Sequence, residues 1–306
     1  MGDNVSIIEK AAGKIEAEAR IDTRRVSHDV NIKSDIKQRP PLDNEVLENE
    51  VKQAQLHSSV TKSAAESVQV TIDHDRLHQL GIVTPSQGKT QIAEQFRIIK
   101  RPLLTKAVKQ NGNPVKNANL IMLTSALAGE GKSFCAVNLA MSIASEMDHR
   151  VLLIDADVAR PTVPKILGIG AKKGLLDILL NEKLDVADVM LKTNVEKLTI
   201  ITAGSPHSHA TELLASHGMS VLLDELSQRY HDRIVIFDSP PILLTSEARV
   251  LTARMGQIVL VVEAEKTTQQ AVKEMLRHIG SHDNINLIYN KAKAFSGEEY
   301  YGYYYS

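Results

Sequence analysis

From residue 120 onward the chain alternates short apolar runs with longer stretches of helical periodicity. The runs at 120–123, 151–154, 198–202, 234–237, 258–262 and 285–289 show no strict in-out alternation, and the last is interrupted by Asn286. Short apolar runs of this kind mark strands buried on both faces, as in a parallel sheet covered by helices. Residues 133–146, 211–230 and 267–280 read as helices between them. The order predicts a doubly wound α/β fold with a mostly parallel sheet and right-handed crossovers. In such a sheet, ligands bind at the carboxyl ends of the strands.

The first third of the chain reads differently. Residues 5–20 place Ile7, Ile8, Ala11, Ala12 and Ile15 at helical spacing, which predicts one short amphipathic helix. Residues 22–63 are polar and charged, with Pro40-Pro41 in the middle, and lack the apolar periodicity needed to offset the entropy of ordering. A short segment at 73–81 precedes a helix over 91–109, in which Ile92, Phe96, Ile99 and Leu103 or Leu104 share a face. The expected organisation is a largely disordered extension over 1–88, a phosphate-loop domain over 89–294 and a tail over 295–306.

Composition narrows the function classes. A chain of 306 residues with 43% hydrophobic content can bury a sizeable core. A formal net charge of -1, without a basic patch interleaved with aromatic residues, disfavours nucleic acid as a partner. The single cysteine, Cys135, excludes an intrachain disulfide framework and suits a reducing, cytoplasmic setting. No run approaches the length and apolarity of a spanning helix, and no secretory hydrophobic core stands at the N-terminus.

Candidate chemistry gathers at predicted strand ends. After the first strand comes Ser125-Ala126-Leu127-Ala128-Gly129-Glu130-Gly131-Lys132-Ser133, closing on the Gly-Lys-Ser that opens a helix. Backbone N–H groups of Gly129, Glu130, Gly131, Lys132, Ser133 and Phe134 would cradle the phosphates of ATP there. Lys132 would reach the β- and γ-phosphates, and Ser133 would ligate Mg²⁺. Ala126 stands where the usual loop has its first glycine. The next strand ends in Asp155-Ala156-Asp157, and the strand over 234–237 ends in Asp238. Two acids on one lip suit a metal-nucleotide site with a proton acceptor, whereas a lone aspartate after a strand is as readily a turn or helix cap. Three strand-terminal acids facing one phosphate loop favour nucleotide chemistry. The final seven residues hold five of the chain's seven tyrosines, Tyr300, Tyr301, Tyr303, Tyr304 and Tyr305. Rings clustered at a chain end have no core to pack on, which suits a substrate segment.

Together these motifs resemble the bacterial tyrosine kinases of polysaccharide loci, over roughly residues 90–306. Within that family the chain is most similar to stand-alone autokinases of exopolysaccharide loci associated with exosortase systems, on Glu94 to Leu104 and Asp157 to Pro161. The resemblance makes Gly131-Lys132-Ser133 the Walker A loop, Asp155-Ala156-Asp157 the Walker A′ motif and Ile236-Phe237-Asp238 Walker B. It implies ATP and Mg²⁺ as cofactors, with Lys132, Asp155 and Asp157 in catalysis, and Asp155 or Asp157 accepting the tyrosine proton. Ser133, Asp155 and Asp238 would lie at the metal and Asn290 at the base. It further implies phosphorylation of the tyrosine tail in trans and control of polysaccharide polymerisation and export. The implied partners are neighbouring copies in a ring, a membrane chain-length regulator that activates the kinase at the inner membrane, and a tyrosine phosphatase.

Departures from the family pattern are Ala128, where proline is frequent, and Ala159, where arginine is. The assembly motif Glu-x-x-Arg-x-x-Arg reads Glu94, Arg97 and Lys100, with Arg101 adjacent. Lysine cannot pair bidentately with a carboxylate as arginine does. A ParA/MinD-like ATPase switch is the alternative on the same fold, but its signature lysine would stand at Leu127. A scaffold without catalysis is the other, and it gives no reason to retain the loop lysine and three acids.

Overall fold

The computed structural model describes residues 68–85, 90–107 and 115–293. The predicted N-terminal helix, the linker and the tyrosine tail lie outside the described residues. Eight strands form one sheet in the order β1-β4-β5-β3-β6-β2-β7-β8. They are β1 (Gln69–Val70), β2 (Leu120–Ser125), β3 (Arg150–Asp155), β4 (Leu191–Thr193), β5 (Leu198–Ile201), β6 (Arg233–Asp238), β7 (Gln257–Glu263) and β8 (Ile285–Asn290). All neighbouring pairs are parallel except β4 with β5. The six strands predicted from apolar runs are all present. The two missed ones, β1 and β4, are too short to carry a pattern.

Every residue of β2 is buried, as are Val151 to Asp155 of β3 and Ile234 to Asp238 of β6. That two-sided burial is why their sequences run apolar instead of alternating. One face packs on α2 (Gln91–Ala107) and α3 (Lys132–Ala144) through Phe96, Leu103, Leu139 and Ile143. The other packs on α8 (His217–Arg229), α9 (Ser246–Thr252) and α10 (Gln269–Ile279) through Leu222, Leu226, Leu251 and Met275. Helix α3 is buried along nearly its whole length, because it lies between the sheet and α2.

Three findings differ from the sequence expectation. First, the helix predicted over 211–230 is two helices, α7 (Ala210–Leu214) and α8, because the Ser216 hydroxyl accepts from Met219 N–H at 3.2 Å and caps a new start. Second, short helices unforeseen in the sequence fill the connections: α4 (Val163–Leu167), α5 (Leu175–Leu180), α6 (Val186–Val189) and α9. Third, the last part of the expected extension 1–88 belongs to the folded unit. There β1 pairs with β4, and α1 (His74–Gln79) follows it. Ile72, Leu77, Ile82 and Val83 lie in the same core as α3, and the buried Asn138 side chain accepts from Val83 N–H at 2.8 Å.

The strand order decides the site. Strand β6 lies between β2 and β3, so Asp238 at its carboxyl end falls between the loop that leaves β2 and the acids that end β3. Asp155 and Asp238 are direct partners in the β3–β6 register.

Candidate active site

Gly129 and Gly131 both adopt left-handed φ, +89° and +95°, a region that favours glycine. A Cβ at Gly131 would also meet Asn290 Nδ2 at 2.1 Å, so a side chain there would displace the Asn290 amide. By contrast Ala126 and Ala128 are not among the residues with positive φ, so the missing first glycine costs no backbone strain. Ala126 is fully buried in the core beneath the loop. Bonding of α3 starts with Cys135 N–H to Gly131 O at 2.9 Å. The N–H groups of Lys132, Ser133 and Phe134 therefore belong to the open first turn of the helix, where the positive end of its dipole attracts anions. The Phe134 ring packs against the core and faces Gly81, so its offer to a phosphate is its backbone N–H.

The predicted catalytic residues converge. Lys132 Nζ lies 2.6 Å from Asp157 Oδ2, 3.6 Å from Asp238 Oδ1 and 3.3 Å from Ser133 Oγ. Burial alone would lower the Lys132 pKa, but the charges of Asp238 and Asp157 outweigh it and hold the ammonium above its ordinary value. Asp155 is wholly buried. One of its oxygens accepts from Thr162 and Val163 N–H at 3.0 Å each, and the other from Asp157 N–H at 3.2 Å. It thereby fixes the turn that carries Asp157. Burial, reinforced by the neighbouring charge of Asp238, raises the Asp155 pKa. Burial likewise raises that of Asp238, against the pull of Lys132.

Asp238 shows the clearest fit to a cation. Its side chain is inaccessible and neither oxygen makes a hydrogen bond; the Lys132 ammonium and the Ser133 hydroxyl are neighbours without meeting that geometry. A buried carboxylate left in this state is costly unless a charge completes it. Ser133, Asp238 and Asp155 thus present the hard oxygen donors that suit Mg²⁺.

Two further groups take positions that the sequence alone does not indicate. The Asn290 side chain donates to Glu130 O at 2.9 Å, on the loop itself. In the expected assembly helix, Glu94 and Arg97 are exposed and paired to each other at 2.7 Å. Lys100 instead is buried and donates to Ser142 O at 2.6 Å and to Glu146 at 2.5 Å, where its hydrogen bond holds the Glu146 carboxyl below its ordinary pKa. Lys100 therefore ties α2 to the end of α3 within one chain and does not present its charge beside Arg97. Sequence reasoning also missed Thr267, whose hydroxyl donates to the buried Glu130 carboxylate, and Glu263, which pairs with Lys291. No motif marks either, because both contacts join distant segments.

Among the described residues no helix is long and apolar enough to cross a membrane. A family model described as an AAA domain matches residues 118–291. The tyrosine-protein kinase YwqD of Bacillus subtilis is 31% identical over 228 residues, covering 74% of this chain and 92% of that protein. The putative tyrosine-protein kinase EpsB of Ralstonia nicotianae is 32% identical over 187 residues, which span 61% of this chain but 24% of the relative. Among solved structures, the chimerical protein CapA2B2 superposes with a TM-score of 0.58 at 26% identity, over 76% of this chain and 97% of the other. With a phosphate loop, a buried lysine and three converging aspartates on this sheet, the chain belongs to the AAA-domain family and, within it, to the bacterial tyrosine-protein kinases.

Proposed function

We propose that the chain is an ATP-dependent autokinase that phosphorylates the tyrosines of its own C-terminal cluster, Tyr300, Tyr301, Tyr303, Tyr304 and Tyr305, in a neighbouring copy. The observation that carries the site chemistry is the buried Lys132 ammonium held between Asp157 and Asp238 beside an open helix N-terminus. Ser133, Asp238 and Asp155 would hold Mg²⁺, which would supply neutralisation of charge on the nucleotide phosphates. Lys132 exchanges its contact with Asp157 for the phosphate oxygens, which frees the Asp157 carboxylate. Asp155, held by three backbone N–H groups, keeps the turn in place; Asp157, its Oδ2 released, takes the proton of the incoming tyrosine. The phenol oxygen bonds to the γ-phosphorus as the bond to the bridging oxygen breaks, and ADP leaves. Catalysis here is positioning and electrostatics.

The wider reading follows the family. Several phosphotyrosines, each adding roughly -1.5 to -2 charges next to Glu298 and Glu299, would drive the tail from an acidic cleft. Ring assembly through the exposed Glu94 and Arg97, activation by a membrane chain-length regulator and resetting by a tyrosine phosphatase would make this a cycling control on exopolysaccharide polymerisation and export. The domain scheme is then an N-terminal docking and linker segment, the kinase domain and a substrate tail.

The test is intact-mass spectrometry of phosphatase-treated protein after incubation with ATP and Mg²⁺, beside Lys132→Met and a deletion of residues 300–306. Several added phosphates on the full chain and none on either variant are expected. ATP hydrolysis with no gain in mass, in the presence of an activator, would overturn the proposal in favour of an ATPase switch.

A further inference from the structure

The phosphate loop is tied to residues at the ends of β7 and β8. Lys291 Nζ donates to Gly129 O at 2.7 Å and is itself held by Glu263 at 3.2 Å. Asn290 Nδ2 donates to Glu130 O at 2.9 Å. The Glu130 side chain is buried; it accepts from Leu127 N–H at 2.8 Å and from the Thr267 hydroxyl, which in turn accepts from Glu263 N–H at 3.0 Å. Lys291 reaches its position with φ +58°, a left-handed conformation that is strained for a lysine.

These contacts have a stereochemical consequence. In a trans peptide the C=O of one residue and the N–H of the next point in opposite directions. Holding the Gly129 and Glu130 carbonyls onto Lys291 and Asn290 therefore turns the Glu130 and Gly131 N–H groups away from those two side chains. Those two groups, with the open N–H groups at the start of α3, are the donors that an anion held at this loop would use. The glycines at 129 and 131 make either orientation of these peptides sterically accessible, so the loop does not select one by itself. Gly131 also lets the Asn290 amide approach, since any Cβ would collide with it.

We propose that Asn290 and Lys291 are positioning residues that preorganise the phosphate loop, acting through its two carbonyls and not through the nucleotide base. The proposal rests on nucleotide binding at this loop, as set out above, and assigns Asn290 a different role from the base contact implied by family resemblance. Each residue keeps the N–H groups aimed at phosphate before the ligand arrives, so its loss weakens every ligand that carries the phosphate chain, whatever base is attached.

The experiment measures equilibrium binding of ATP, GTP and inorganic tripolyphosphate, each with Mg²⁺, to the full chain and to Asn290→Ala, Lys291→Met and Lys291→Gly. Lys291→Gly removes the ammonium while relieving the left-handed strain, so it separates the contact from any folding defect. Expected is a weakening of about fivefold per variant, the scale of one lost hydrogen bond, equal for ATP and tripolyphosphate. The ATP-to-GTP preference stays unchanged. Weaker ATP with tripolyphosphate unaffected, or a flattened ATP-to-GTP preference, would show a base contact and overturn the proposal. Unchanged binding of all three ligands would show a self-supporting loop and overturn it equally. A full chain that binds neither ATP nor tripolyphosphate would sink the nucleotide reading itself.

Discussion

Replacing Lys132 by methionine keeps most of the buried stem and deletes the ammonium, leaving Asp155, Asp157 and Asp238 without their shared counter-charge. At an effective dielectric of about 20, the contacts at 2.6 and 3.6 Å correspond to roughly 6 and 5 kcal/mol of attraction. The desolvation of ammonium and carboxylates offsets much of that, and breaking such a buried pair costs about 3–5 kcal/mol in practice. The loss depends on pH. Asp155 and Asp238 have raised pKa values in the fold, so their contribution to stability is fully present below the unfolded carboxylate value, near 3.8, and is lost as pH rises through the folded values. Lys132, raised above 10.5, stays charged throughout this range. Without it the carboxylates hold their protons to still higher pH, so the variant loses stability over a wider window. Each extra proton kept by the native state adds about 1.4 kcal/mol of difference per pH unit. Urea denaturation at pH 5, 6.5 and 8, with EDTA and no nucleotide, measures this. The gap between the two proteins is expected to be small at pH 5 and to reach about 3–5 kcal/mol at pH 8. A gap constant across the three pH values would mean that packing of the lysine stem, and not its charge, was lost, and would refute the electrostatic account.

Gly131→Ala should abolish nucleotide binding, and pairing it with Asn290→Ala should restore little, because the left-handed φ persists after the collision is relieved; nucleotide titration of both variants checks this. Lys100→Met should destabilise the chain by about 1.5–3 kcal/mol in urea denaturation, as befits hydrogen bonds from a buried charge, while Arg97→Ala changes stability by less than about 0.5 kcal/mol. A change in oligomeric state with unaltered stability for Lys100→Met would contradict its intrachain role. Ala126→Gly should lower stability by about 1 kcal/mol without tightening nucleotide binding, since that position has no positive φ to accommodate and its methyl is buried. Gly256→Ala should cost about 1–3 kcal/mol by thermal or chemical denaturation, because its Cβ would lie 2.1 Å from Asn117 O at the foot of the sheet.

The apolar runs that predicted six strands did so because burial on both faces of a parallel sheet leaves no polar position to spare. The phosphate loop was legible for a similar reason, since glycines at left-handed positions and a lysine at a helix start are local requirements written in adjacent residues. Strands β1 and β4 escaped notice because two or three residues hold no period, and the break before α8 because a single serine hydroxyl decides it. Ala126 looked like a defect in the motif, yet its backbone needs no glycine. Lys100 looked like part of an exposed charged motif, yet it turns inward to α3.

The sequence by itself determined the fold class, the nucleotide loop and the identity of the three acids, because each depends on local periodicity or on neighbouring residues. Only the tertiary structure decided that Asp238 falls between the loop and Asp155, that its carboxylate lacks a hydrogen bond, and that Asn290 and Lys291 grip the loop's carbonyls. Those relations depend on strand order and on contacts between segments more than 80 residues apart, and a chain read in one dimension carries no signal for which of its distant segments will meet.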